Sequence, residues 1–348
     1  MSGSHSTAPF LALADLASAR VGGRALATND DFFASKANLV KAEPPIFVPG
    51  KYTARGKWMD GWESRRQRTP GHDWCVVALG IRGVVHGVNV STKFFTGNYP
   101  SHCSIDALDA TQAKKGPGLI TKGPRGERLP SKTDAFAEIL PKTPLQGDAD
   151  NFFAIDDRRP WTHLRLNIFP DGGVARLRVF GEAVIDWTPI AKAGRTLDLA
   201  SILNGGLVLG ASDMHFGARD NMIMPGRAKN MGDGWETRRR RGPGYDWAIV
   251  RLGTAGRIST LEIDTNHYKG NYPDRASVEA CVAPGASLGD LVAARWVELL
   301  PETKLRPHHR HVFAKELEAP GVATHVRLNI FPDGGISRLR VHGTVATA

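Results

Sequence analysis

The sequence predicts an all-β fold made of two tandem, homologous β-sandwich domains of the jelly-roll type. The chain repeats itself over most of its 348 residues, and each copy contains short segments of alternating apolar and polar residues. The 38 glycines and 22 prolines favour frequent turns over a helical bundle. No regular alternation of strands and helices indicates a parallel sheet, so antiparallel sandwiches are the expected architecture.

The internal repeat sets the domain organisation. Three segments recur, 60–63 as 233–236, 97–100 as 270–273 and 166–173 as 328–335. The spacing is 173 positions at Asp60 but 183 at Asn38, which matches Asn221, so the first copy carries inserted loop residues. A unit of this length indicates a duplicated domain rather than a solenoid. We place the two domains at residues 1–187 and 188–348.

Periodicity predicts the elements of each copy. The predicted strands are 74–79, 84–90, 163–168 and 176–179 in the first copy, and 325–330 and 338–341 in the second. A Pro-Asp-Gly-Gly turn joins the last two strands of each copy into a hairpin. Helical periodicity is confined to residues 133–140 and 288–300.

Charge and cysteine usage exclude several classes of protein. Lys and Arg total 45 against 35 for Asp and Glu, a net charge of +10, but the basic residues are scattered and no nucleic-acid-binding module surrounds them. No stretch approaches the roughly 20 apolar residues of a membrane span, and residues 10–14 make a poor signal peptide. Three cysteines at unrelated spacings favour neither disulfides nor a zinc site. We therefore expect a cytoplasmic protein without nucleic-acid or membrane partners.

The densest group of charged side chains that could take part in catalysis or binding begins at the glutamate of the Asp-Gly-Trp-Glu motif. Arg65 and Arg66 follow Glu63, and Asp73 comes shortly after. Paired guanidinium groups suit a carboxylate ligand, and two carboxylates in different environments supply a general acid and a general base. The alternative is that these carboxylates pair with the arginines and only fix a loop.

Two further groups of polar residues have alternative interpretations. His163, Arg165 and Asn167 share one face of a predicted strand, which either lines a ligand cleft or is the solvated side of a sheet. The His-His-Arg-His run at 308–311 suggests a metal site, but no carboxylate or thiolate lies at ligand spacing, so a solvated loop is preferred. The sequence requires no cofactor, and a divalent metal is possible but unsupported.

The chain resembles the allantoicase (allantoate amidinohydrolase) family over nearly its whole length. The motifs that carry the resemblance are 27–30 with Phe32-Phe33, 60–66, 73–74, 97–100 and 166–173, together with their second copies. The resemblance implies two jelly-roll repeats related to galactose-binding sandwiches and a homo-oligomer. It also implies hydrolysis of allantoate, a small anion, to ureidoglycolate and urea in allantoin (purine) catabolism.

Fitting residue types to that reaction gives the candidate site. We expect Glu63 and Asp73 to act as acid and base, with His163 in reserve. The candidates for binding the substrate carboxylate are Arg65, Arg66 and Arg165. The candidates for the ureido arms and the rim are Asn29, Asn38, Lys93 and Asn98. The second-copy equivalents are Glu236, Arg238, Arg239, Asp246, His325 and Arg327.

The duplication leaves open whether each copy holds a site, one copy is degenerate, or the site is composite. Lys93, His72 and Asn29 are replaced in the second copy, which favours the first. Two other functions compete with allantoate hydrolysis. One is a non-catalytic jelly roll that binds sugars or other small ligands, and the other is hydrolysis of a different ureide such as ureidoglycolate.

Overall fold

The structure is a computed structural model, and it describes residues 8–112, 120–122, 128–130, 136–318 and 321–346. The chain divides into two compact units, Met1–Val184 and Ile185–Ala348. Antiparallel strands dominate both units, and the pairing scheme of the first recurs in the second. Among the described residues, no helix is long and apolar enough to cross a membrane.

The strands of the first unit are β1 (Ala14–Asp15), β2 (Arg24–Thr28), β3 (Tyr52–Thr53), β4 (Gly56–Lys57), β5 (Trp62–Glu63), β6 (Asp73–Ser91), β7 (His102–Leu108), β8 (Ile120–Lys122), β9 (Arg128–Pro130), β10 (Ala137–Pro144), β11 (Asp150–Ala154), β12 (Pro160–Phe169), β13 (Gly173–Val174) and β14 (Arg176–Ala183). Short 3-10 helices lie at Pro9–Ala12, Ala19–Val21 and Lys36–Val40.

The second unit contains β15 (Leu197–Asp198), β16 (Leu207–Ala211), β17 (Trp235–Glu236), β18 (Asp246–Asp264), β19 (Arg275–Cys281), β20 (Val297–Lys304), β21 (Arg310–Phe313), β22 (Val322–Phe331), β23 (Gly335–Ile336) and β24 (Arg338–Val345). Its helices are α1 (Thr188–Lys192), α2 (Leu288–Val292) and 3-10 turns at Ile202–Asn204, Arg219–Ile223 and Met231–Asp233.

One long strand belongs to both layers of the first sandwich. Residues 73–78 of β6 pair with β2 and β12, whereas residues 83–91 pair with β14 and β11 and only residues 83 and 84 also meet the start of β12. Between these halves the backbone passes close to its neighbours. A Cβ added at Gly80 or Gly83 would lie 2.3 Å from a backbone oxygen. Only glycine fits such a close approach, which explains why Leu79-Gly80 recurs in the second copy.

Alternate residues of the two layers face a shared core. Val77 and Leu164 from one layer and Val88 and Leu177 from the other are fully buried. The period of two in these strands places the intervening polar residues on the outer faces. The fold-class prediction of two homologous all-β sandwiches is confirmed.

The helix predictions were largely wrong. Residues 133–135 lie outside the described part of the chain, and 137–140 begin β10. In the second copy, α2 ends at Val292 and residues 297–300 begin β20. Register shifts interrupt the pairing of both strands, so buried residues such as Leu299 and Leu300 follow one another directly and imitate a helical pattern.

Candidate active site

Two adjoining cavities of about 400 and 380 Å³ lie among the loops of the first unit. Their shared wall consists of Phe33, Glu63, Gly97 and Asn98. The larger cavity is also lined by Ser64, Arg66, Tyr99, Ser101, Pro170, Asp171 and Gly172, and the smaller by Gly56, Lys57, Met59, Phe94 and Thr96. We call the group Phe33, Lys57, Glu63, Arg66 and Asn98 the Glu63 site.

Packing behind Glu63 fixes its backbone. The preceding Trp62 is fully buried, and its indole nitrogen donates a hydrogen bond of 2.8 Å to the Asp30 carbonyl. β5 pairs with β13 across Gly173, where an added Cβ would lie 1.9 Å from the ring of Phe95. The repeated Asp-Gly-Trp-Glu and Gly-Gly motifs therefore bring two short strands over one aromatic ring and hold Glu63 at the cavity.

Glu63 has the electrostatics of an acid–base group. Its side chain is half-buried, and its Oε1 accepts a hydrogen bond of 2.6 Å from Asn98 Nδ2. Burial raises the pKa of Glu63, while the Asn98 hydrogen bond and the charge of Lys57 oppose that rise. The net shift is upward, so the acid form persists to higher pH than in an ordinary glutamate.

Asp73 lies behind the cavities rather than in their described lining. It is only 2% exposed, and its Oδ1 accepts hydrogen bonds from Asn29 Nδ2 at 2.7 Å and Gln67 Nε2 at 2.6 Å. The backbone N–H of Gln67 donates to the Asp171 carboxylate at 2.9 Å. Asp73 and Asp171 therefore fasten the loop that carries Arg66.

The predicted arginines differ in what they already bind. Arg65 pairs with Asp30 at 2.6 Å and is 62% exposed, and Arg165 pairs with Asp106 at 2.8 Å. Arg66 lines the larger cavity and forms no ion pair with any described residue. A guanidinium that already has a carboxylate partner is a poorer anion receptor, so Arg66 is the available one.

The predicted strand face forms a polar network away from the described cavity lining. Asn167 Nδ2 donates to Ser104 and Asp106, and His163 contacts the Thr162 hydroxyl through Nδ1 at 2.8 Å. Burial lowers the pKa of His163, which favours a neutral ring. The structure therefore does not bring His163 together with Glu63.

The remaining predicted residues occupy the surroundings of the site. Asn29 binds Asp73 and the Trp74 amide, and Asn38 donates to the Gly61 carbonyl at 2.8 Å, so both hold backbone in place. Lys93 is half-buried next to Phe94, and neither cavity includes it among its described lining residues.

The second unit keeps the pattern around its own glutamate. Asn271 donates to Glu236 Oε1 at 2.5 Å, and three of the other predicted groups form ion pairs within the unit. Arg238 pairs with Asp213, Asp246 with Arg240, and Arg327 with Glu279. Arg239 follows Arg238 as Arg66 follows Arg65, and it is exposed. His325 is 1% exposed, and burial lowers its pKa to about 4.

Lys57 and Asp171 were missed by the sequence analysis. Asp171 was part of a turn whose carboxylate had no predicted role. Lys57 lies in the first-copy segment between Asn38 and Asp60, which is longer than its second-copy counterpart. That difference in length was the sequence signal that could have pointed to Lys57.

No described group of three His, Cys, Asp or Glu side chains is arranged to hold a metal ion. In the 308–311 segment, the ring nitrogens contact other groups. His309 Nε2 meets the Arg306 guanidinium at 2.5 Å, His311 Nε2 accepts from the Arg306 amide, and His308 Nδ1 accepts from the His267 amide.

The fold and site define a two-repeat β-sandwich protein in which the carboxyl groups of Glu63 and Asp171 and the cationic side chains of Arg66 and Lys57 line two adjoining loop cavities. A family profile described as an allantoicase repeat matches residues 14–184 and 197–346. A probable allantoicase 1 from Burkholderia mallei is 49% identical over 95% of this chain and 94% of its own. A probable allantoicase from Pseudomonas aeruginosa is 48% identical over 97% of both chains. The crystal structure of allantoicase from Saccharomyces cerevisiae matches with a TM-score of 0.77 and 32% identity, over 95% of this chain and 92% of that one.

The chain belongs to the allantoicase family.

Proposed function

We propose that this chain hydrolyses allantoate to ureidoglycolate and urea, and that the reaction takes place at the Glu63 site of the first repeat. Family membership supports the reaction. One observation supports the location. The half-buried Glu63 carboxyl, whose pKa is raised, lies between two cavities, one lined by Arg66 and the other by Lys57.

In this mechanism Glu63 acts first as the general acid. Allantoate carries two ureido groups and a carboxylate on one central carbon. The Glu63 carboxyl gives its proton to the departing ureido nitrogen as the C–N bond breaks and urea leaves. The lone pair of the remaining ureido nitrogen stabilises the positive charge left on the carbon. A protonated acid is needed for this step, and burial favours that form.

The same residue then acts as the base. Water adds to the central carbon and gives a proton to the Glu63 carboxylate, which restores the acid and yields ureidoglycolate. Asn98 holds the Glu63 carboxyl in place through the hydrogen bond from its Nδ2. In this scheme the second hydrogen on Nδ2 is directed toward the ureido arms of the substrate. Arg66 hydrogen-bonds a ureido carbonyl, and Asp73 acts as a positioning residue for the Arg66 loop.

The test is urea release by purified Glu63→Gln and Glu236→Gln variants. Glutamine keeps the size and the hydrogen bond from the asparagine but carries no transferable proton. We expect turnover to fall by about 10²-fold or more in the first variant and to stay within about 2-fold in the second. Loss in Glu236→Gln alone would move the site to the second repeat. Assay of ureidoglycolate as substrate separates the competing ureide reaction.

We further propose a homo-oligomeric protein of the cytoplasm. The family resemblance supports the oligomer. Cys75, Cys103 and Cys281 are free and buried, as is usual for proteins of a reducing compartment. Light scattering on the purified protein and cell fractionation test these two statements.

A further inference from the structure

The first repeat has a hairpin at its cavity that has no counterpart among the described residues of the second repeat. Ten more residues separate Asn38 from Asp60 than separate Asn221 from Asp233. This longer segment forms the β3–β4 hairpin, and Gly56 and Lys57 of β4 line the smaller cavity beside Glu63. In the first repeat, this longer segment therefore places the ammonium group of Lys57 at the cavity beside Glu63.

Lys57 is available to an anion. It forms no ion pair with any described residue, and its Nζ lies 4.6 Å from the centre of the Phe47 ring. Phe47 in turn stacks on Phe94, which lines the smaller cavity, with 5.9 Å between ring centres. A cation–π contact at an exposed site is weak, so a carboxylate can draw the ammonium group away without breaking a salt bridge.

The substrate itself restricts where its carboxylate can bind. In allantoate the carboxylate and both ureido nitrogens are attached to one carbon. A cation that holds the carboxylate must therefore lie close to the acid that protonates the departing nitrogen. Lys57 meets this requirement, because it lines the same cavity of about 380 Å³ as Glu63 and Asn98.

We propose that Lys57 binds the substrate carboxylate and makes the Glu63 site selective for carboxylated ureides over neutral ones. This inference rests on the proposed function and deepens it. It assigns Arg66 to a ureido arm and explains why the repeat with the hairpin is the working one.

The experiment compares Lys57→Met, Lys57→Arg and the control Lys51→Met in the full chain. Lys51 lies on the same exposed loop, over the Trp58 ring at 3.9 Å, outside the described cavity lining. Allantoate is the substrate, and methylenediurea, which has both ureido arms but no carboxylate, is the competitive inhibitor. For Lys57→Met we expect KM for allantoate to rise about 10-fold or more, kcat to stay within about 3-fold, and the methylenediurea inhibition constant to be unchanged. Lys57→Arg should recover most of the affinity.

Several results would overturn the inference while leaving the proposed function intact. An unchanged KM in Lys57→Met, equal weakening of allantoate and methylenediurea, or a carboxylate-specific loss confined to Arg66→Met would each do so. Circular dichroism of Lys57→Met and Lys57→Arg checks the fold. No urea release by the unaltered protein would instead reject the proposed function.

Discussion

Glu63 and Glu236 show how one residue type acquires different surroundings in two copies of a fold. Each accepts a hydrogen bond from an asparagine on the facing turn. Beside Glu63 lies Lys57, which pairs with no carboxylate among the described residues, whereas Met231 contacts the asparagine beside Glu236. The difference between the two sites is therefore made by neighbours rather than by the glutamate itself.

The raised pKa of Glu63 predicts the pH dependence of the reaction. The acid form is present below that pKa and is lost as pH rises through it, so kcat should fall on the alkaline side. Asn98→Leu removes a hydrogen bond that lowers the pKa of Glu63, while keeping the cavity filled. In a plot of kcat against pH, we expect the fall on the alkaline side to move to higher pH in Asn98→Leu. In Asn271→Leu it should stay at the same pH as in the unaltered protein. A fall that does not respond to Asn98→Leu would contradict the assignment.

Asp73 gives a prediction that separates a positioning role from a catalytic one. Asp73→Asn keeps an acceptor for the amides of Asn29 and Gln67, so kcat should stay within about 3-fold. Asp73→Ala leaves the side-chain amides of Asn29 and Gln67 without that acceptor and should lower the free energy of unfolding by about 1–3 kcal/mol. Urea denaturation and steady-state kinetics measure both. A loss of 10²-fold in Asp73→Asn without a change in stability would make Asp73 a catalytic base.

Among the elements, the segment between Asn38 and Asp60 is anchored to its sandwich partly by a buried ion pair, beside the hydrogen bonds that Arg178 donates to the Lys41 and Ala42 carbonyls. Arg176, at the start of β14, is 2% exposed and donates to the Glu43 carbonyl and to the Asp60 carboxylate at 2.6 Å. Burial alone would raise the pKa of Asp60, but hydrogen bonds from Arg176 and Lys41 hold it below its usual range. The carboxylate is therefore ionised, and it needs its cation.

Removing that cation should loosen the hairpin as well as the fold. Arg176→Met leaves Asp60 buried without its main partner, so we expect a loss of about 3–5 kcal/mol in the free energy of unfolding. A raised KM for allantoate should accompany it, because Lys57 is carried by the same segment. Arg338→Met removes the equivalent contact to Asp233 in the second repeat and should leave KM unchanged. A similar KM in Arg176→Met and Arg338→Met would show that the position of the hairpin does not affect substrate binding.

Local sequence predicted the strands and the turn residues better than the pairing of charges. Asp-Gly-Trp-Glu and Pro-Asp-Gly-Gly recur because close packing against one ring requires them, and that constraint is visible as a repeat. The partners of Arg65 and Arg165 lie 35 and 59 positions away, and no local pattern indicates which arginine remains free. The same limit applies to β10, whose bulged register depends on β7.

For the whole molecule, the two repeats predict one substrate per chain rather than two. Both units have the same strand pairing, but only the first carries the hairpin with Lys57. Isothermal titration of the Glu63→Gln variant with allantoate should give a stoichiometry of about one per chain, and the Glu63→Gln/Lys57→Met double variant should bind at least about 10-fold more weakly. A stoichiometry of two would mean that the second repeat binds allantoate without a lysine.

The long strand shared by both layers also bears on how such a protein changes during evolution. A break within β6 would deprive both layers of their common strand, so fragments smaller than a whole repeat are poor units of genetic exchange. The loop between Asn38 and Asp60 lies outside that strand and can lengthen without disturbing it. Duplicated copies can therefore diverge at their rims while both keep the same strand pairing.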